Sequence, residues 1–171
     1  MKINFSKRIT VLSPSATFAM AQKSNELKAQ GVDIVNMSVG EPDFNTPDHI
    51  KEIGEQAIRE NYTRYSPVSG YKGLKEAISG KLSKENALSY SPDEVLVSNG
   101  AKQSICNAVM ALVDDGDEVI IPAPYWVSYP QMVLLAGGKT VHIPTSIENG
   151  FKITAEQLES AITPKTKLLI I

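Results

Sequence analysis

Glu94-Val95-Leu96-Val97-Ser98, then Asn99-Gly100, then an apolar run from Ala101 to Val113, then Val119-Ile120-Ile121: this stretch decides the fold. The first five residues read as a strand, the Asn-Gly pair as a turn, the run as a helix and the last three as a second strand. The alternation continues downstream. Tyr125 to Ala136 predicts a helix, Lys139 to Ile143 a strand, Thr154 to Ala161 a helix and Lys167 to Ile171 a strand. These strands are short continuous apolar runs, the pattern of a sheet covered on both faces. The reading is α/β with a mostly parallel sheet. The final run, Leu168-Leu169-Ile170-Ile171, stops inside a strand, which predicts that the sequence is the front part of a longer protein.

Upstream, Ser15 to Gln30 has helical period, with Phe18, Ala21 and Leu27 recurring and Gly31 ending the run. Ile34-Val35-Asn36-Met37 predicts a short strand. Two prolines and one glycine within Gly40 to Pro47 predict a fixed loop. Thr46-Pro47 reads as an N-cap followed by proline at the first helical position, where its missing N–H is no loss. That helix runs to about Asn61 with Ile50, Ile53, Ala57 and Ile58 as its apolar stripe. After a Tyr65-Ser66-Pro67-Val68-Ser69-Gly70 loop, a helix from Lys72 to Asn86 buries Leu74, Ala77, Ile78 and Leu82.

Lys and Arg number 17 against 19 Asp and Glu, a net charge of −2, which argues against nucleic acid as a partner. One cysteine, Cys106, excludes an internal disulfide framework, and two histidines far apart give a zinc site nothing to build on. No run reaches the roughly 18 apolar residues of a membrane span, and no signal-peptide run follows Lys2, Lys7 and Arg8. The expectation is a soluble, cytoplasmic protein without a membrane partner.

Four constellations carry chemistry, each with a plainer alternative. Ser98-Asn99-Gly100-Ala101-Lys102-Gln103 follows a strand and opens a helix. The unpaired N–H groups of Gly100, Ala101 and Lys102, aided by the helix dipole, suit a phosphate. The alternative is an ordinary strand-to-helix turn. Neither a P-loop nor a dinucleotide fingerprint is present, which disfavours a dehydrogenase. Pro124-Tyr125-Trp126-Val127-Ser128-Tyr129-Pro130 leaves a strand end, where open α/β sheets bind ligands. Trp126 suits stacking on a flat ring, or it is a core aromatic. Gly40-Glu41-Pro42-Asp43 lets a ligand approach backbone, or its acids cap a turn. Tyr65 offers a phenol to an anion, or it is a half-buried surface tyrosine.

The order and spacing of these runs carry more than any one of them. Ser38 to Pro47, Tyr65-Ser66-Pro67 with Gly70, Ser98 to Gln103 and Pro124 to Pro130 together resemble the class I pyridoxal-phosphate aminotransferases, more narrowly their bacterial aspartate aminotransferase subgroup. The resemblance covers Pro14 to Ile171, under half of a family member. It implies a fold-type I transferase: an N-terminal arm and small-domain segment over residues 1–45, including the first helix, then the first half of the large cofactor domain over 46–171.

The resemblance also implies roles. The amides of Gly100, Ala101 and Lys102 would hold the phosphate of pyridoxal 5′-phosphate; many relatives carry a second glycine where this chain has Ala101. Trp126 would lie on the cofactor ring and face the substrate. Tyr65 would reach the phosphate of the neighbouring subunit's cofactor, which implies a homodimer with shared sites. Gly40 would bind the substrate α-carboxylate through its backbone. Ser15, Thr17 and Lys102 would clamp the far carboxylate, or Ser15 and Thr17 simply cap a helix. Relatives that accept prephenate carry lysine just before the Pro-Ser-Ala-Thr run; here Ser13 stands there. The Schiff-base lysine lies beyond residue 171, and neither Lys102 nor Lys139 matches its position. These 171 residues alone are therefore expected to be inactive. The implied reaction moves the amino group of L-aspartate to the 2-oxo acid 2-oxoglutarate. An aromatic or prephenate aminotransferase is the first alternative, and a non-catalytic phosphate-binding module the second.

Overall fold

The structure is a computed structural model that describes residues 3–171; Met1 and Lys2, which open the expected arm, lie outside the described residues. Seven helices and three strands are present among them. They are α1 (Lys7–Thr10), α2 (Ala16–Ala29), α3 (Asp48–Arg59), α4 (Lys72–Asn86), α5 (Ala101–Leu112), β1 (Glu118–Ala123), α6 (Ser128–Ala136), β2 (Lys139–Pro144), α7 (Ala155–Ala161) and β3 (Thr166–Leu169). The chain forms two compact units. The first comprises residues up to Val39 together with Ser104–Ile171, and the second Gly40–Gln103.

The first unit is built on the sheet, in the order β2-β1-β3 with both pairings parallel, as the sequence predicts. β1 is central. Its Val119 and Ile121 pack with Val109 and Val113 at the end of α5 and with Met132 and Val133 of α6. Ile120 points to the other face by the two-residue strand period and is equally buried. α7 packs on β2. Its start is fixed by Thr154, whose Oγ1 accepts from Gln157 N while Gln157 Oε1 accepts from Thr154 N. β3 is shorter than the run that predicts it, but Ile170 N still donates to Ile120 O.

The bend from α6 into β2 needs two glycines for different reasons. Gly137 ends α6 in the left-handed region at φ +91°. Gly138 is needed for room, since a Cβ there would lie 2.6 Å from Val113 Cγ1 and 3.0 Å from Val133 Cγ1.

In the second unit α4 is the scaffold. Ser79 Oγ donates to Tyr90 O, and Lys75, with a side chain only 12% exposed, pairs with Asp93 at 3.8 Å. These ties hold the segment that leads to α5.

Several expectations need correction. Ile34–Met37 forms no strand, and Val35 and Met37 are 85% and 89% exposed. Residues 95–98 form no strand either. Val95 has extended backbone, but among the described residues no ladder runs beside it. A strand exists only where a second one supplies its hydrogen bonds. Pro47, not Thr46, is the N-cap of α3: its carbonyl accepts from Ile50 N and Lys51 N. The stripe on α3 has the predicted period, yet Ile50, Ile53 and Ile58 stay exposed. On α4, Leu74 and Ala77 are exposed, whereas Ile78 and Leu82 are half-buried. α6 begins at Ser128 rather than Tyr125, and the short α1 was not predicted.

No described helix is long and apolar enough to cross a membrane, and no described cluster of His, Cys, Asp and Glu suits a metal.

Candidate functional site

Gly40, Tyr65, Gly100, Ala101 and Lys102 fall in the second unit; Ser15, Thr17 and Trp126 fall in the first.

The turn before α5 is tightly specified. Gly100 has φ +88°, a conformation that disfavours any other residue, and a Cβ there would meet open space. Its N–H donates to Ser98 O at 2.8 Å, Ser98 Oγ donates to Gly100 O, and Gln103 N donates to Gly100 O at 3.1 Å. Gln103 reaches back, its Oε1 accepting from Asn99 N at 2.6 Å. The turn thus presents the first amides of α5 on an exposed face, and no acid in that first turn opposes an anion. The expectation of an unpaired Gly100 N–H needs correction, because that group is engaged by Ser98 O; the backbone donors that follow it, at Ala101 and Lys102, are the ones that fit a phosphate.

Behind the turn, Val97 N donates to Ser69 O at 3.0 Å. Upstream of it, Pro92–Glu94 forms a single 3-10 turn braced by Glu94, whose Oε2 accepts from both Ser91 N and Ser91 Oγ at 2.8 Å. Those two bonds, the backbone one first, hold the Glu94 carboxyl below the usual carboxylate range.

Tyr65 is fully exposed rather than half-buried. Its loop is closed by Gly70 N donating to Pro67 O at 2.9 Å. A Cβ on Gly40 would meet nothing within 4 Å, so nothing in its own unit crowds that position.

In the first unit, Ser15 is the N-cap of α2, with Oγ accepting from Phe18 N at 3.4 Å. That satisfies the capping alternative without using up the hydroxyl, which keeps its proton to donate. Thr17 is half-buried on the first turn of α2. Gln131 of α6 accepts from Ser13 N through Oε1 at 3.1 Å, which fastens the lead into α2 to α6. Trp126, 39% exposed, meets Tyr129 edge-on with ring centroids 5.4 Å apart. It is therefore neither a buried core aromatic nor a detached surface one. Beside it Tyr125 stacks on His142 of β2 at 4.8 Å, and Thr145 Oγ1 donates to Ala123 O. Both contacts lock the strand ends from which the Trp126 segment departs.

Gln103, Gln131, Thr145 and Gly70 brace these segments through their hydrogen bonds, although the sequence assigns them no role. Gln103 alone had a local signal, a glutamine three places after the turn glycine. Gln131 meets a partner 118 positions away, which no local pattern announces.

Comparison with known proteins gives consistent results. The family model described as Aminotransferase class I and II matches residues 32–171. An aspartate/prephenate aminotransferase of Nitrosomonas europaea is 51% identical over 99% of this chain and 43% of its own length. An aspartate aminotransferase of Geobacillus stearothermophilus is 49% identical over the same shares. The structure of Thermus thermophilus aspartate aminotransferase with maleate superposes with a TM-score of 0.94 at 45% identity, over 99% of this chain and 44% of that one. The chain thus spans less than half the length of these relatives.

Proposed function

The chain belongs to the class I and II aminotransferase family, and on that premise we propose that the whole polypeptide is an aspartate aminotransferase. It would move the amino group of L-aspartate to 2-oxoglutarate. The family uses pyridoxal phosphate, and the fold is that of its aspartate aminotransferases. The observation that carries the reading is the Gly100 turn, which sets an acid-free helix start on a left-handed glycine. The division into a 1–45 arm and small-domain segment and a 46–171 large-domain segment belongs to the same proposal.

When bound, the cofactor would supply an aldehyde carbon that takes up the amino group and an electron-withdrawing pyridine that stabilises negative charge at the substrate Cα. The chain's own residues supply placement. The amides of Ala101 and Lys102 hold the phosphate, Gly100 sets the turn that presents them while its own N–H is engaged by Ser98 O, and Trp126 gives the ring a flat surface. The Gly40 backbone receives the substrate α-carboxylate. The Ser15 hydroxyl donates to the far carboxylate while its oxygen still caps α2. Thr17 and the Lys102 ammonium complete the clamp, and the charged bond is the strongest of the three. Tyr65, on its exposed loop, reaches the phosphate in a neighbouring subunit, so the working form is a cytoplasmic homodimer. A dicarboxylate preference is supported by the maleate named with the Thermus thermophilus structure.

The test is Lys102→Ala in the full-length protein. Loss of a charged hydrogen bond is worth about 1.5–3 kcal/mol, so kcat/KM for aspartate should fall about 10- to 100-fold. That for phenylalanine should fall much less; equal losses would remove Lys102 from the clamp. The 171-residue chain alone should not transaminate.

A second reading, prephenate as an additional substrate, is favoured by the name of the Nitrosomonas europaea relative. Ser13 weighs against it. If the wild type lacks prephenate activity and Ser13→Lys gains it, Ser13 is what withholds prephenate and the second reading fails. Activity in the wild type would make the second reading the better one. Family membership weighs against the non-catalytic module.

A further inference from the structure

We propose that Gly70 is a positioning residue for the phosphate-binding turn, acting through Val97. The inference rests on the cofactor reading above and gives a role to a residue that reading leaves without one. Gly70 has φ +100°, and a Cβ there would lie 2.8 Å from Val97 Cγ2 and 2.9 Å from Val97 Cβ. Carbon atoms in contact settle about 3.5–4.0 Å apart, so any side chain at 70 would drive Val97 back by close to 1 Å.

The hydrogen bonds give the displacement a direct path along the chain. Val97 N is bonded to Ser69 O, so the two segments move together. One residue on, Ser98 O accepts from Gly100 N, and Asn99 N is held by Gln103 Oε1. Every residue between Val97 and the first turn of α5 is thus pinned by a hydrogen bond, and a shift at 97 is delivered to the amides of Gly100, Ala101 and Lys102. The same contact anchors the loop that carries Tyr65, whose closure uses Gly70 N. Gly70 therefore sets the spacing between the two segments that address cofactor phosphates. A misplacement of about 1 Å in such a constellation costs up to about 100-fold.

The experiment uses the full-length protein and two probes, pyridoxal phosphate and the phosphate-free pyridoxal, with binding followed by intrinsic fluorescence. The dissociation constant for pyridoxal divided by that for pyridoxal phosphate isolates the contribution of the phosphate. Gly70→Ala should lower that ratio by at least about tenfold while pyridoxal affinity stays within about twofold of wild type. Val97→Ala loosens the contact without adding a left-handed Cβ, so it stays informative even if Gly70→Ala does not fold. It should lower the ratio by a few-fold with the thermal unfolding midpoint retained. A wild-type ratio in both variants, or an equal loss for both probes, would overturn the role of Gly70. A wild-type protein that does not prefer pyridoxal phosphate over pyridoxal would instead overturn the cofactor reading beneath it.

Discussion

Single residues in this chain matter through what they exclude as much as through what they touch. Gly100 and Gly138 look alike in the sequence, yet one is required by backbone angle and the other by space. The first was legible, because an Asn-Gly pair ahead of a helical run announces a turn, even though the segment before it is not a strand. The second was not, because Val113, which a Cβ at 138 would strike, lies 25 positions earlier in the chain. Gly138→Ala must push apart Val113 and Val133, both in the core cluster. Overpacking of this kind costs about 1–3 kcal/mol, which a urea midpoint measured on the full-length protein will register. The Ser91–Glu94 brace gives a titration at the same scale. Its bonds depress the Glu94 pKa, so the bracing is complete above the unfolded-state value of about 4.3 and is lost as pH falls through the folded one. Ser91→Ala removes the hydroxyl bond while leaving the backbone one, and should raise the Glu94 midpoint in a carbon-13 titration; an unmoved midpoint would mean that the Ser91 Oγ bond does not form in solution.

At the scale of elements, helices were readable and strands only partly so. A helix closes its own hydrogen bonds four residues away, so Lys72–Asn86 and Ala101–Leu112 follow from local pattern alone. Glu94–Ser98 and Ile34–Met37 have the composition of strands, but a strand is a relation between two segments, and here no described segment forms a ladder with either; Val97 has a single bond to Ser69 O. Only Val119–Ile121, Lys139–Ile143 and the last run find each other. Two of the helix starts that match, Ser15 for α2 and Thr154 for α7, have a side-chain oxygen in place, whereas α4 starts at Lys72 as expected without one. Thr46 failed because Pro47 itself takes the cap position. α7 has seven residues, too few to hold without tertiary support, so its cap should matter. Thr154→Ala removes the acceptor for Gln157 N and should lower stability by about 0.5–2 kcal/mol in chemical unfolding of the full-length protein. Thr154→Ser, which keeps the oxygen, should recover most of it.

At the scale of the molecule, the apolar faces and the proposed chemistry make one argument. Ile50, Ile53 and Ile58 recur at helical spacing on α3 and lie open, as do Val35 and Met37. Rows of this kind mark surfaces that another part of a protein covers. The relatives are more than twice the length of this chain, so the rest of such a polypeptide is the occupant these faces suit. The proposed reaction asks for the same thing, since the residues assigned here hold the phosphate, ring and carboxylates but none matches the family's Schiff-base lysine. Packing and catalysis should therefore fail together. The 171-residue chain should bind an apolar fluorescent dye strongly and show no transamination of aspartate. The full-length protein should bind the dye weakly and be active. Adding the separately expressed remainder to the 171-residue chain should reduce dye binding and restore turnover in parallel. Turnover at an enzyme-like rate by the 171-residue chain alone would show that the chemistry does not need residues outside it. Dye binding that persists after turnover is restored would show that the α3 face is not covered from within the protein.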